Sequence, residues 1–121
     1  MSDELTQTPY INLSYLELMA DGDQDMKKTM IGMLLEEPLR DIEKMQEMTD
    51  VMNFDQIQAI SHKMKSTLAF VGNEKLTALN KAVETKAQSE SDINAIKEDL
   101  KAIRALYDHA IVELRLEFQK L

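Results

Sequence analysis

The chain has 121 residues and no cysteine, which leaves room for one domain and excludes disulfides and thiolate metal sites. Its formal net charge of −8 at pH 7, with no basic stripe, argues against nucleic acid and against anionic membrane surfaces as partners. Three glycines, two prolines and no tryptophan stand in a background rich in Leu, Met, Ala, Glu, Lys and Gln, residues that lose little on entering a helix, so the expected class is all-α rather than a sandwich or barrel.

No apolar run approaches the roughly 20 residues a bilayer span needs, so no membrane association is expected. The start, Met1-Ser2-Asp3-Glu4, lacks the basic and apolar regions of a secretion signal. A cytoplasmic protein is the resulting expectation. Residues 1–10 read as a polar, flexible start, with one helical bundle domain over 11–121.

Ser14 and Glu17 have capping-box spacing, which predicts a short helix through Leu16, Leu18 and Met19. Asp21-Gly22-Asp23 then closes that helix and opens another, with Gly22 left-handed and Asp23 as cap. A single long helix is expected from Gln24 to Met48, because Met26, Met30, Met33, Leu34, Ile42 and Met45 recur at helical steps. Pro38 inside it is expected to bend it without ending it. The methionines read as core at this spacing rather than as an adaptable groove, and Glu36-Glu37 reads as solvated surface.

Asn53 and Gln56 form the next capping pair, ahead of a helix carrying Ile57, Ile60, Met64, Leu68 and Val71. Gly72 ends it, and Asn73 caps a helix that buries Leu76, Leu79 and Val83. After the Ser89–Asp92 connection, Ile93, Ile96, Leu100, Ile103, Tyr107, Ala110 and Leu114 follow heptad-like spacing. Short links between long helices favour antiparallel neighbours, so the architecture expected is an antiparallel up-down-up-down four-helix bundle with a short extra N-terminal helix.

On a wheel of about 100° per residue, Ile57, Ile60, Ser61, Met64, Leu68 and Val71 share one arc, and His62 lies roughly 150° from its centre. The imidazole is thus expected to face solvent, among the small residues Ala59, Ser66 and Ala69. The stretch from Gln56 to Asn73 has no acidic residue but carries Lys63 and Lys65. Cations one turn from the ring would stabilise a phosphoryl dianion, and the lack of a carboxylate is expected to leave a neutral, nucleophilic ring nitrogen. An idle surface histidine is the competing reading. His109 lies roughly opposite the apolar seam of the last helix and is expected to be exposed and uninvolved. Two histidines without cysteine gather no metal ligand set, and no glycine-rich phosphate loop is present.

Ser61-His62-Lys63-Met64-Lys65-Ser66, followed by Leu68 and Val71-Gly72, resembles the signature of histidine-containing phosphotransfer (HPt) domains. Leu13-Ser14-Tyr15-Leu16 leading into Asp21-Gly22-Asp23, the run from Met33 through Ile42, and Lys75-Leu76 through Glu84 resemble other helices of that family. The resemblance implies a monomeric carrier without ATP-dependent kinase activity in a multistep phosphorelay. In it, His62 accepts a phosphoryl group, through Nε2, from a receiver-domain aspartate and passes it to another. Lys65 matches the position that steadies the phosphoryl oxygens, and Glu84 the place of a polar residue near the site. Response-regulator receiver domains and a sensor histidine kinase, hybrid or not, are the implied partners. No cofactor is implied for this chain, since the Mg2+ that assists transfer belongs to the receiver. Where the family usually has glycine, this chain has Ser66, whose hydroxyl is small enough to leave the approach open and bears on the rate rather than the role. The reading from another class is a non-catalytic four-helix module that binds receivers or other partners as a scaffold.

Overall fold

The computed structural model describes residues 8–121, and the part of the expected flexible start at 1–7 lies outside them. Within that range the chain forms helices α1 (Ser14–Ala20), α2 (Gln24–Leu34), α3 (Glu37–Asp50), α4 (Phe54–Val71), α5 (Glu74–Gln88) and α6 (Ile93–Gln119). Helix α4 packs on α3 and α5, and α6 packs on the same two, so α3 to α6 close a ring around one core. The short links at 51–53, 72–73 and 89–92 make sequential helices run antiparallel. Helix α2 lies against α1, α3 and α6, and α1 bridges α2 and α4.

The apolar periodicity buries most of the residues it marks on α4 to α6, while Ile60, Leu79 and Ile93, at the margins of the buried faces, are only partly covered. Ile57, Met64 and Val71 of α4, Leu76 and Val83 of α5, and Ile96, Leu100, Ile103, Tyr107, Ala110 and Leu114 of α6 are all fully buried. Three helices begin as their sequence signals direct. Asp23, Asn53 and Asn73 accept from the backbone N–H of Met26, Gln56 and Leu76 at 3.0, 3.1 and 3.1 Å, satisfying donors that a helix start leaves without partners. The Ser14–Glu17 box is not made, because Ser14 sits inside the helix and its N–H and hydroxyl both donate to Asn12 Oδ1, while Glu17 pairs with Lys27.

The single long helix expected over Gln24–Met48 is instead two, α2 and α3, interrupted at Leu35-Glu36. Pro38 falls in the first turn of α3, where a missing N–H costs nothing. Continuing the helix would have left the Leu34 carbonyl, four residues upstream, without its donor. Tyr107 supplies that donor, its hydroxyl reaching the Leu34 oxygen at 2.6 Å in the core. The phenol is fully buried, and burial raises its pKa well above the usual tyrosine range. The buried stripe of α2 runs through Ile31 and Leu34, so Met26 is exposed rather than core, and Met30 and Met33 are only partly buried. Leu18 and Met19 of α1 are also exposed, at 71% and 51%, since this two-turn helix buries only Leu16 and Ala20.

The segment before α1 is tied to the bundle. Thr8 Oγ and the Tyr10 N–H donate to the Glu113 carboxylate, and the Tyr10 ring stacks on exposed His109 at 4.5 Å between centroids. Asn12 N–H donates to the Val71 carbonyl at 2.9 Å. That contact runs directly over Gly72, whose φ of +73° and lack of a side chain leave room for the Asn12 carbonyl. No helix among the described residues is long and apolar enough to cross a membrane.

Candidate functional site

The α4 phase that buries Ile57, Met64 and Leu68 turns the His62 side chain outward, 68% exposed. Ala59, Ser66 and Ala69, on the same side, are exposed and small, so among the described residues none of these neighbours covers the ring. Lys63 is drawn sideways to Asp41 of α3 at 3.0 Å. Ser66 turns its hydroxyl back to the Lys63 carbonyl at 3.3 Å. Lys65 leans the other way, toward α5.

Helix α5 brings the feature that the α4 wheel alone did not contain. Glu84 Oε2 lies 2.7 Å from His62 Nδ1, and Oε1 lies 3.5 Å from Lys65 Nζ. The expectation of a histidine free of carboxylates is therefore wrong, because the carboxylate arrives from a neighbouring helix. The Glu84 side chain is only 10% exposed, and Oε1 is buried without a hydrogen bond, so the Lys65 charge is what faces it. The hydrogen bond from His62 holds the Glu84 carboxyl below the usual carboxylate range; burial opposes this, and the charges of Lys65, His62 and Lys81 add to it.

An ionised Glu84 has no proton to give, so the hydrogen bond fixes the donor: Nδ1 carries the hydrogen and the carboxylate accepts. In the neutral ring this leaves the lone pair on Nε2, the nitrogen remote from Glu84. The arrangement is thus an exposed nucleophilic nitrogen, a carboxylate behind the ring that orients it, and an ammonium beside it.

Beneath His62 the α4–α5 seam holds two buried polar residues, Ser61 and Asn80, 0% and 3% exposed. Ser61 Oγ approaches the Asn80 carbonyl and Oδ1 at 2.9 and 2.8 Å, and Asn80 Nδ2 donates to the Ser61 carbonyl at 2.9 Å.

The structure gathers His62, Lys65 and Glu84 into one constellation, while Ser66 is adjacent without joining it and His109 is remote, stacked on Tyr10. Asn80 and Lys81 were missed from the sequence. A signal existed for the level of α5: with the hairpin folding at Gly72-Asn73, positions 62 and 84 lie about equally far from the turn. No group of three or more potential metal ligands occurs among the described residues.

The sequence model of the Hpt domain matches residues 29–110, a span that holds the three residues of this constellation. No curated protein matches the chain. Among solved structures, the fold is similar to that of histidine-containing phosphotransfer protein B (HptB) from Pseudomonas aeruginosa PAO1, with a TM-score of 0.85 over 95% of this chain and 99% of that one, at 10% identity. At that identity the likeness speaks to the shape alone, whereas the family match covers well over half of the sequence. The chain belongs to the Hpt domain family.

Proposed function

We propose that His62 is the phosphoacceptor of this phosphotransfer protein, taking the group on Nε2 from the aspartyl phosphate of one receiver domain and delivering it to an aspartate of another. Nε2 attacks phosphorus in line, the P–N bond forms, and the acyl phosphate P–O bond breaks with its electron pair returning to the aspartate carboxylate. The Nδ1 proton stays on the ring, and the imidazolium so formed is balanced by Glu84. Such transfers pass through a loose state in which positioning and charge stabilisation outweigh acid-base chemistry. Glu84 orients, Lys65 meets the phosphoryl oxygens by turning from its loose 3.5 Å pairing with Glu84, and the Ser66 hydroxyl lies one turn further along.

The observation that carries the reading is the outward ring held from behind at Nδ1 by Glu84 at 2.7 Å. Exposed Tyr15, Leu18 and Met19 on α1 support a docking role, since Tyr15 stacks on Phe70, about two turns along α4 from His62. The protein acts as a cytoplasmic, monomeric carrier between receiver domains and a sensor histidine kinase, without kinase activity of its own.

The test is labelling by a phosphorylated receiver domain from the same cell. The expected product is one acid-labile, alkali-stable phosphate per chain, absent from His62→Gln, whose helix content is unchanged. Labelling that survives the substitution would show the acceptor to be another residue. Unphosphorylated but stable complexes with receivers would favour the scaffold reading.

A further inference from the structure

We infer that Ser61 and Asn80 are a positioning pair: their buried hydrogen bonds set the register of α4 on α5 so that Glu84 meets His62 Nδ1, and thereby select Nε2 as the nitrogen that reacts. This rests on the reading of His62 as phosphoacceptor, though the geometry it explains is independent of it.

Ser61 immediately precedes His62, and Asn80 lies one turn before Glu84. The pair therefore joins the two helices at the level where ring and carboxylate must meet. Around it the seam is apolar, built from Ile57, Met64, Leu68, Leu76 and Val83. Apolar contacts are non-directional and tolerate small slides and rotations. Hydrogen bonds are directional and short-ranged, so a satisfied buried polar pair discriminates between registers, as a buried Asn does between paired helices. A slip of one residue along α5 is a shift of about 1.5 Å with a turn of about 100°, which would break the contacts of Asn80 and carry Glu84 off the ring.

Glu84 has little else to keep it there. Burial of the carboxylate is unfavourable, Oε1 has no hydrogen bond, and Lys65 reaches it only at 3.5 Å. A modest loss of register would free the carboxylate to turn to solvent, and the ring would lose the acceptor that keeps hydrogen on Nδ1. Nδ1 and Nε2 would then exchange roles, and the ring would rotate more freely. Ser61 and Asn80 touch neither the reacting nitrogen nor the incoming phosphoryl group, so they act through Glu84.

The experiment is 15N NMR of the His62 ring across pH, paired with the transfer rate from a phosphorylated receiver, in Asn80→Ala and the milder Asn80→Ser. The expected result is a loss of the Nδ1–H tautomer and a slowing of transfer on the order of tenfold or more in Asn80→Ala. A smaller change of the same kind is expected in Asn80→Ser, which decides the matter if Asn80→Ala does not fold. Ile31→Val, a core truncation on α2, is expected to lower stability without moving the tautomer. In a Glu84→Ala background, Asn80→Ala is expected to add nothing to either readout, since both act through one contact. A wild-type tautomer ratio in the folded Asn80 variants would overturn the inference, as would an equal change in Ile31→Val or an undiminished effect without Glu84. The tautomer is read without phosphorylation, so failure of the acceptor assignment would show in the His62→Gln labelling and not here.

Discussion

At His62 the proposed transfer turns on which nitrogen holds the hydrogen, and Glu84 of the adjacent helix, 2.7 Å from Nδ1, favours a hydrogen there when ionised. Because the Glu84 carboxyl is held below the usual range, its ionised form favours the folded state. That contribution is present above the unfolded carboxylate pKa of about 4.3 and is lost as pH falls through the lower folded value. Glu84→Gln should therefore flatten the acid side of the stability curve, seen as a smaller fall in Tm below about pH 4 than the parent shows. An identical acid limb in both proteins would mean that the pairing does not persist in solution. Lys65, half-exposed and only loosely paired, plays no part in the core, so Lys65→Ala should slow transfer with Tm nearly unchanged. Equal transfer rates in the two proteins would remove its role.

At the scale of the helices, the interruption between α2 and α3 and the burial of Tyr107 are one feature. The hydroxyl serves the carbonyl that Pro38 cannot serve. Tyr107→Phe keeps the ring but leaves a buried acceptor without a donor, at an expected cost of about 1–3 kcal/mol by denaturant titration. A change near zero would mean that water reaches Leu34 when the hydroxyl is removed. Helix α4 sets the direction of His62 through its opposite face, where Leu68 is only 1% exposed. Leu68→Ala should cost about 2–5 kcal/mol, and a negligible loss would contradict the rotational setting of the helix.

Across the whole molecule, the bundle works as a rigid mount that lets one ring stand out from a closed core. The periodicities on α4, α5 and α6 are long and unbroken, so the centres of their buried faces, the bundle and the outward direction of His62 were legible in the chain, whereas the partial exposure of Ile60, Leu79 and Ile93 was not. So were the caps at Asp23, Asn53 and Asn73, because each bonds to N–H groups only a few residues away. The break before Pro38 is not legible locally, because proline fixes only what is disfavoured there, while the donor that serves the Leu34 carbonyl comes from Tyr107, distant in sequence. Exposure of Leu18, Met19 and Met26 was equally hidden, since an apolar residue on a short helix is buried only if a neighbour covers it.

The same division runs through the site. Local sequence determined which residue types lie on one face of α4, since a helix has a fixed angle per residue and needs no partner to define it. Only the packing of α5 on α4 decided that Glu84 stands behind the ring, that Lys65 is shared between carboxylate and solvent, and that Ser61 finds Asn80. Those are contacts between helices, and their register depends on side-chain fit and directional hydrogen bonds that no single-helix periodicity encodes.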